Sequence, residues 1–72
     1  MSNFKYHKII KKLRRKGVYF LREAKGSHQI WFNPENERRI VIPKHTGNLP
    51  TGTLLSIIKN AGFKNLDEFR RF

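Results

Sequence analysis

The tightest constraint on this chain is that its 72 residues include no cysteine. Neither a disulfide nor a thiolate zinc site can staple it, so it must fold on one small apolar core, aided at most by a partner. At that length a single domain, residues 1–72, is expected, because the fraction of surface a chain can bury shrinks with its size. The opening run Met1-Ser2-Asn3-Phe4-Lys5 lacks the apolar segment of a signal peptide. No later stretch approaches the roughly 20 apolar residues of a membrane span. The chain is therefore expected to be soluble, cytoplasmic and free of membrane attachment.

Charge narrows the choice of partner. Sixteen Lys and Arg against five Asp and Glu give a formal net charge of +11. A field of that sign attracts polyanions and opposes self-association, which makes nucleic acid the default ligand and predicts salt-sensitive binding. A merely soluble basic domain and a binder of anionic membrane are the bland alternatives. With 38% apolar residues the chain is no disordered basic tail.

The apolar pattern changes period along the chain. Tyr6, Ile9, Ile10 and Leu13 recur at helical spacing, with Lys8, Lys11, Lys12 and Arg15 off the stripe. Ser2 or Asn3 is placed to cap that helix and Gly17 to stop it. Its basic face has two readings, a weak phosphate contact or plain solvation. Three strand-like runs follow: Val18 to Arg22, His28 to Phe32, and Arg39 to Ile42, the last ended by Pro43. The turns Ala24-Lys25-Gly26-Ser27 and Asn33-Pro34-Glu35-Asn36-Glu37 separate them. A second helix carries Leu54, Ile57, Ile58 and Ala61 on its stripe, with Pro50 at its first turn and Gly62 as its stop. The tail, residues 63–72, reads as a short helix capped by Asn65 with Asp67 and Glu68 in its first turn. The simplest architecture is α+β: a three-stranded antiparallel sheet with both helices on one face, in the order α-β-β-β-α of the double-stranded-RNA-binding fold.

The chemistry-bearing residues eliminate most enzyme classes. The acids are Glu23, Glu35, Glu37, Asp67 and Glu68, scattered so that no compact carboxylate pair forms. The three histidines lack zinc-motif spacing, and neither a P-loop nor a nucleophile elbow occurs. Histidine acid–base chemistry supported by Lys and Arg remains. That kit suits cleavage of RNA, whose 2′-hydroxyl is its own nucleophile: a base takes that proton, an acid protonates the leaving 5′-oxygen, and cations stabilise the phosphorane-like charge. No metal or cofactor is expected.

Pairing Phe32 with Arg39 sets His28 opposite Pro43, at the sheet end that also holds Lys44, His45 and the Lys25-Gly26-Ser27 turn. The N–H groups of the second helix near Gly52 and Thr53 open toward the same place, and Arg22 joins them from the first strand. The expected phosphate-binding set is thus Arg22, Lys25, Gly26, Ser27, Lys44, Gly52 and Thr53, with His28 at the centre and His45 as a second acid or base. Side-chain alternation leaves a structural alternative open. If Ile30 and Phe32 form the core, His28 stands at the edge of the helix-covered face and serves the fold. Trp31, on the other face, either stacks on a base, anchors a partner or packs against the tail beside Phe69 and Phe72; packing or partner contact is favoured. His7 reads as a surface residue.

At this point the residues become recognisable. The run Gly17-Val18-Tyr19-Phe20-Leu21-Arg22, followed by Gly26-Ser27-His28, resembles the signature of the HicA-type toxin family. The later Val41-Ile42-Pro43-Lys44-His45, Gly52-Thr53-Leu54, Ile57-Ile58 and Ala61-Gly62 are similar to that family's second half, so the likeness runs from about Ile9 to Gly62. The resemblance implies a double-stranded-RNA-binding-like fold and metal-independent mRNA cleavage in translation-blocking toxin–antitoxin pairs. It carries the catalytic histidine onto His28, matches Gly26, Ser27 and His45, and implies a HicB-type antitoxin that buries the His28 end of the sheet. Many members place a second histidine directly after the first; here Gln29 stands there, which leaves His45 or a lysine to complement His28. A non-catalytic RNA-binding module is the alternative, and a DNA-binding regulator ranks third because the second helix offers only Lys59 and Asn60 for reading bases.

Overall fold

A computed structural model describes residues 4–44 and 49–72. Its elements run α1 (Tyr6–Lys16), β1 (Tyr19–Glu23), β2 (His28–Asn33), β3 (Arg38–Pro43), α2 (Thr51–Asn60) and α3 (Leu66–Arg71). The strands form one antiparallel sheet in the order β1-β2-β3. The architecture is the expected α+β arrangement, with the tail forming its own short helix. No helix among the described residues is long and apolar enough to cross a membrane.

The element ends follow local chemistry. Gly17 closes α1 in the left-handed conformation at φ 100°, where a side chain would strain the backbone. Ser2 and Asn3, the expected caps of α1, lie outside the described residues, and the cap position is held by Lys5 without a side-chain bond. At α3 the Asn65 side chain accepts from the Glu68 N–H at 2.9 Å, and the Glu68 carboxylate accepts from the Lys64 N–H at 2.7 Å.

Both long helices cover the same face of the sheet. Ile9, Ile10 and Leu13 of α1 and Leu54, Ile57 and Ile58 of α2 pack with Trp31, Ile40 and Ile42, and Phe63 and Phe69 of the tail close the core. This corrects the alternative in which Ile30 and Phe32 face the helices. The β2–β3 register sets Trp31 opposite Ile40 and Gln29 opposite Ile42, so the strongly apolar positions of β3 select the odd-numbered face of β2. Trp31 is 2% exposed, its indole against the Phe20 ring and under the Arg14 guanidinium at 5.5 Å. Of its three readings, packing holds; the partners are the core and α1.

Two polar side chains are buried on this inner face. The Gln29 carbonyl oxygen accepts from the Tyr6 hydroxyl and, at 3.1 Å, from the Trp31 indole N–H, while its amide donates to Glu23 at 3.3 Å. Burial raises the Tyr6 phenol above its ordinary range, with the bond to Gln29 opposing the shift. Asn33 donates to the Ala61 carbonyl at 3.1 Å and accepts from the Glu35 N–H at 3.1 Å. Asn36 and Arg38 add bonds to Asn60 at 3.0 and 3.2 Å. These contacts moor the C-terminal end of α2 to the β2–β3 turn. A ten-residue helix spans roughly 15 Å and six residues of strand roughly 20 Å, so the N-terminal end of α2 is carried to the opposite end of the sheet, beside His28.

Part of the basic face of α1 has a third role beyond the two expected. Lys12 lies over Phe69, Arg15 over Phe72, and Lys16 over Phe63 and Phe72, with ammonium or guanidinium groups 5.0 to 5.7 Å from the ring centroids. Lys12 also donates to the Arg70 carbonyl at 3.1 Å, and burial, with Arg15 and Lys8 nearby, lowers its pKa. These cations clamp the tail by cation–π attraction over their aliphatic stems.

Candidate active site

The His28 end of the sheet is built by backbone geometry. Gly26 turns at φ 71°, which admits glycine without strain; a Cβ there would meet the His28 Nδ1 at an ordinary 3.6 Å, so the dihedral and not the space requires glycine. The Ala24 N–H donates to the His28 carbonyl at 2.9 Å, and the Lys44 N–H donates to the Ser27 carbonyl at 2.6 Å. The Gly26-Ser27-His28 turn is thus held from both flanking strands. His28 pairs with Pro43 and Phe32 with Arg39, as the register expected from sequence requires.

On that frame His28 is exposed and stands on the sheet face opposite Gln29 and Trp31, at the end that the first turns of α2 border. Its side chain lines an open cleft of about 420 Å³ with Val41, Pro43, Gly52, Thr53 and Ser56. Among the described residues no acid lines this cleft, and no three His, Cys, Asp or Glu side chains gather closely enough to hold a metal ion. Pro50 stands at the N-cap of α2 and supplies no side-chain bond to its first turn. The first turn of α2 thus has no side-chain cap, and its Gly52 and Thr53 border the cleft beside His28.

The expected residues fare as follows. His28, Gly52 and Thr53 share the cleft; Gly26 and Ser27 shape its turn; Lys25 and Lys44 are exposed in the segments that flank it. Arg22 reaches this face through an irregularity. The β1–β2 register passes from Phe20 opposite Trp31 to Arg22 opposite Ile30, so Leu21 is an extra residue, a β-bulge. Without it Arg22 would point inward beside Gln29; with it Arg22 is a diagonal cross-strand neighbour of His28. His45, the expected second acid or base, lies outside the described residues. Sequence reasoning missed Ser56, which its position one helical turn after Gly52 would have revealed.

A family model for the HicA toxin of bacterial toxin–antitoxin systems matches residues 6–63. No curated protein matches the chain.

Proposed function

Because the chain belongs to the HicA toxin family, we propose that it is a metal-independent endoribonuclease that cleaves mRNA and blocks translation, with His28 exchanging protons with the reacting oxygens. The observation that carries this reading is the shared cleft: an exposed imidazole beside the open first turn of a helix, with no acid between them. A phosphate seated on the Gly52 and Thr53 N–H groups brings the adjacent 2′-hydroxyl within reach of an imidazole. The 2′-oxygen attacks phosphorus as it loses its proton, and the 5′-oxygen leaves with a proton. A 2′,3′-cyclic phosphate and a 5′-hydroxyl result. Arg22, Lys25 and Lys44 supply positive charge to the phosphorane-like state, and His45 or Lys44 is the candidate for the second proton transfer. The chain works as one ribonuclease domain in the cytoplasm, and a HicB-type antitoxin silences it by covering the His28 end of the sheet.

The direct test is cleavage of a labelled single-stranded RNA in excess EDTA. Undiminished cleavage leaving 2′,3′-cyclic phosphate ends is expected. Salt-sensitive binding without cleavage would favour the RNA-binding module, and EDTA-sensitive cleavage would place the chemistry on a metal.

A second expectation isolates the helix terminus. A Cβ at Gly52 meets nothing within 4 Å, so Gly52→Asp has room. A carboxylate in the first turn complements the helix dipole by about 0.3–1 kcal/mol, so the melting temperature is expected to hold or rise. Cleavage is expected to fall at least about tenfold, because the new charge occupies the place of the phosphate. Unchanged cleavage would remove α2 from the site.

A further inference from the structure

The sheet face that bears His28 holds more than the cleft. Three cross-strand rows cross it: Tyr19–Phe32–Arg39, then Arg22–Ile30–Val41, then His28–Pro43. Tyr19 is 48% exposed, and its ring meets that of half-buried Phe32 at a centroid distance of 5.7 Å. Val41 is 51% exposed, and no acidic residue stands in any of the rows. Among the described residues α2 borders this face at its His28 end, through Gly52, Thr53 and Ser56, and Ile30 of the middle row is only 8% exposed; the core cluster itself lies on the opposite face. A half-exposed tyrosine ring against a half-buried phenylalanine, with Arg22 and Arg39 in the adjoining positions, leaves an aromatic surface open to a ligand. Water-exposed rings beside guanidinium groups suit a ligand that carries both flat apolar surfaces and anions.

We propose that this open face is a track for single-stranded RNA, on which Tyr19 and Phe32 stack a base, Arg22 and Arg39 hold flanking phosphates, and the strand is led to His28. The inference deepens the ribonuclease reading and rests on it for the identity of the substrate. Charge complementarity commits the face to nucleic acid: the chain carries +11, and the rows hold two of its arginines and none of its acids. The ring pair, exposed through Tyr19, commits it to a single strand. Bases in an A-form duplex are already stacked on one another and present no free π-face, whereas an unpaired base stacks on tyrosine or phenylalanine regardless of its identity. One row lies between the ring pair and His28, which are four residues or about 13 Å of strand apart, so the stacked base lies a few nucleotides from the scissile bond. The Leu21 bulge serves the track by turning Arg22 outward into the middle row.

The test is binding of a fluorescent 2′-O-methyl oligonucleotide to the full chain, as a single strand and as a duplex. This probe lacks a free nucleophile, so binding is read independently of cleavage. Tyr19→Ala is expected to weaken single-strand binding about tenfold, and Tyr19→Phe to stay within about twofold of wild type. Arg39→Gln is expected to reduce the slope of log affinity against log salt by about 0.7. Both positions are exposed, and an unchanged melting temperature verifies the fold. Wild-type single-strand affinity in Tyr19→Ala, or an equal loss with the duplex, would overturn the track. So would a variant that keeps its RNA affinity and loses only its antitoxin, which would give the face to the protein partner. Intact track binding in a protein that never cleaves RNA would uphold the track and sink the ribonuclease reading alone.

Discussion

His28→Ala is expected to lower RNA cleavage by about 10²- to 10⁴-fold, the usual worth of a positioned proton-transfer group, while leaving stability within about 0.5 kcal/mol of wild type. The two halves of that expectation come from different observations. The loss follows from the cleft, where His28 is the only imidazole among the described lining residues. The unchanged stability follows from its exposure and from the absence of any described side-chain hydrogen bond to its ring. The backbone bonds that hold its turn involve the His28 carbonyl and the Ser27 carbonyl, which alanine keeps. Cleavage of labelled RNA beside a thermal melt checks both. Cleavage at the wild-type rate would move the chemistry off His28, and a large drop in melting temperature would return it to the structural role that sequence alone left open.

Trp31→Ala is expected to cost about 3–5 kcal/mol, the range for removing a large aromatic side chain from a packed interior. A 72-residue domain at the usual 0.05–0.15 kcal/mol per residue has only about 4–11 kcal/mol to lose. The urea midpoint should therefore drop by about a quarter or more, and at 37 °C much of the variant should be unfolded. Three losses combine: the cavity among Ile40, Ile42, Ile57 and Leu13, the indole donor to Gln29, and the surface under the Arg14 guanidinium. Gln29 keeps the Tyr6 hydroxyl as a partner, which limits the polar penalty. A stable Trp31→Ala protein with weakened RNA binding would mean that the indole works on the solvent side of the sheet, contrary to the face assignment on which the stacking track also depends.

Much of the fold was legible because it is written in local chemistry. Gly17 past a 3.6-residue stripe, Asn65 ahead of two acids and Pro43 at the end of a strand each act through their own backbone dihedrals or hydrogen bonds. The β2–β3 register was legible too, since a short turn leaves few ways to align His28 with Pro43. Which face of β2 is buried was harder. His28, Ile30 and Phe32 are the more apolar set, while two of the inner-facing three, Gln29 and Asn33, are amides. The missing signal lay in the register itself: it pairs Phe32 with Arg39, a residue that helices packed on this sheet would leave without water or a counter-charge.

The order of elements, their ends, the basic character of the chain and His28 beside a Gly-Ser turn all follow from neighbours in sequence, through period, capping and charge. The side of the sheet that the helices cover, the inward path of Gln29 and Asn33, the bulge that brings Arg22 round to His28 and the docking of α2 that sets Gly52 and Thr53 in the cleft do not. Each depends on side chains from different elements competing for one small core, and that competition is settled by total buried volume and hydrogen-bond satisfaction, which no local window contains.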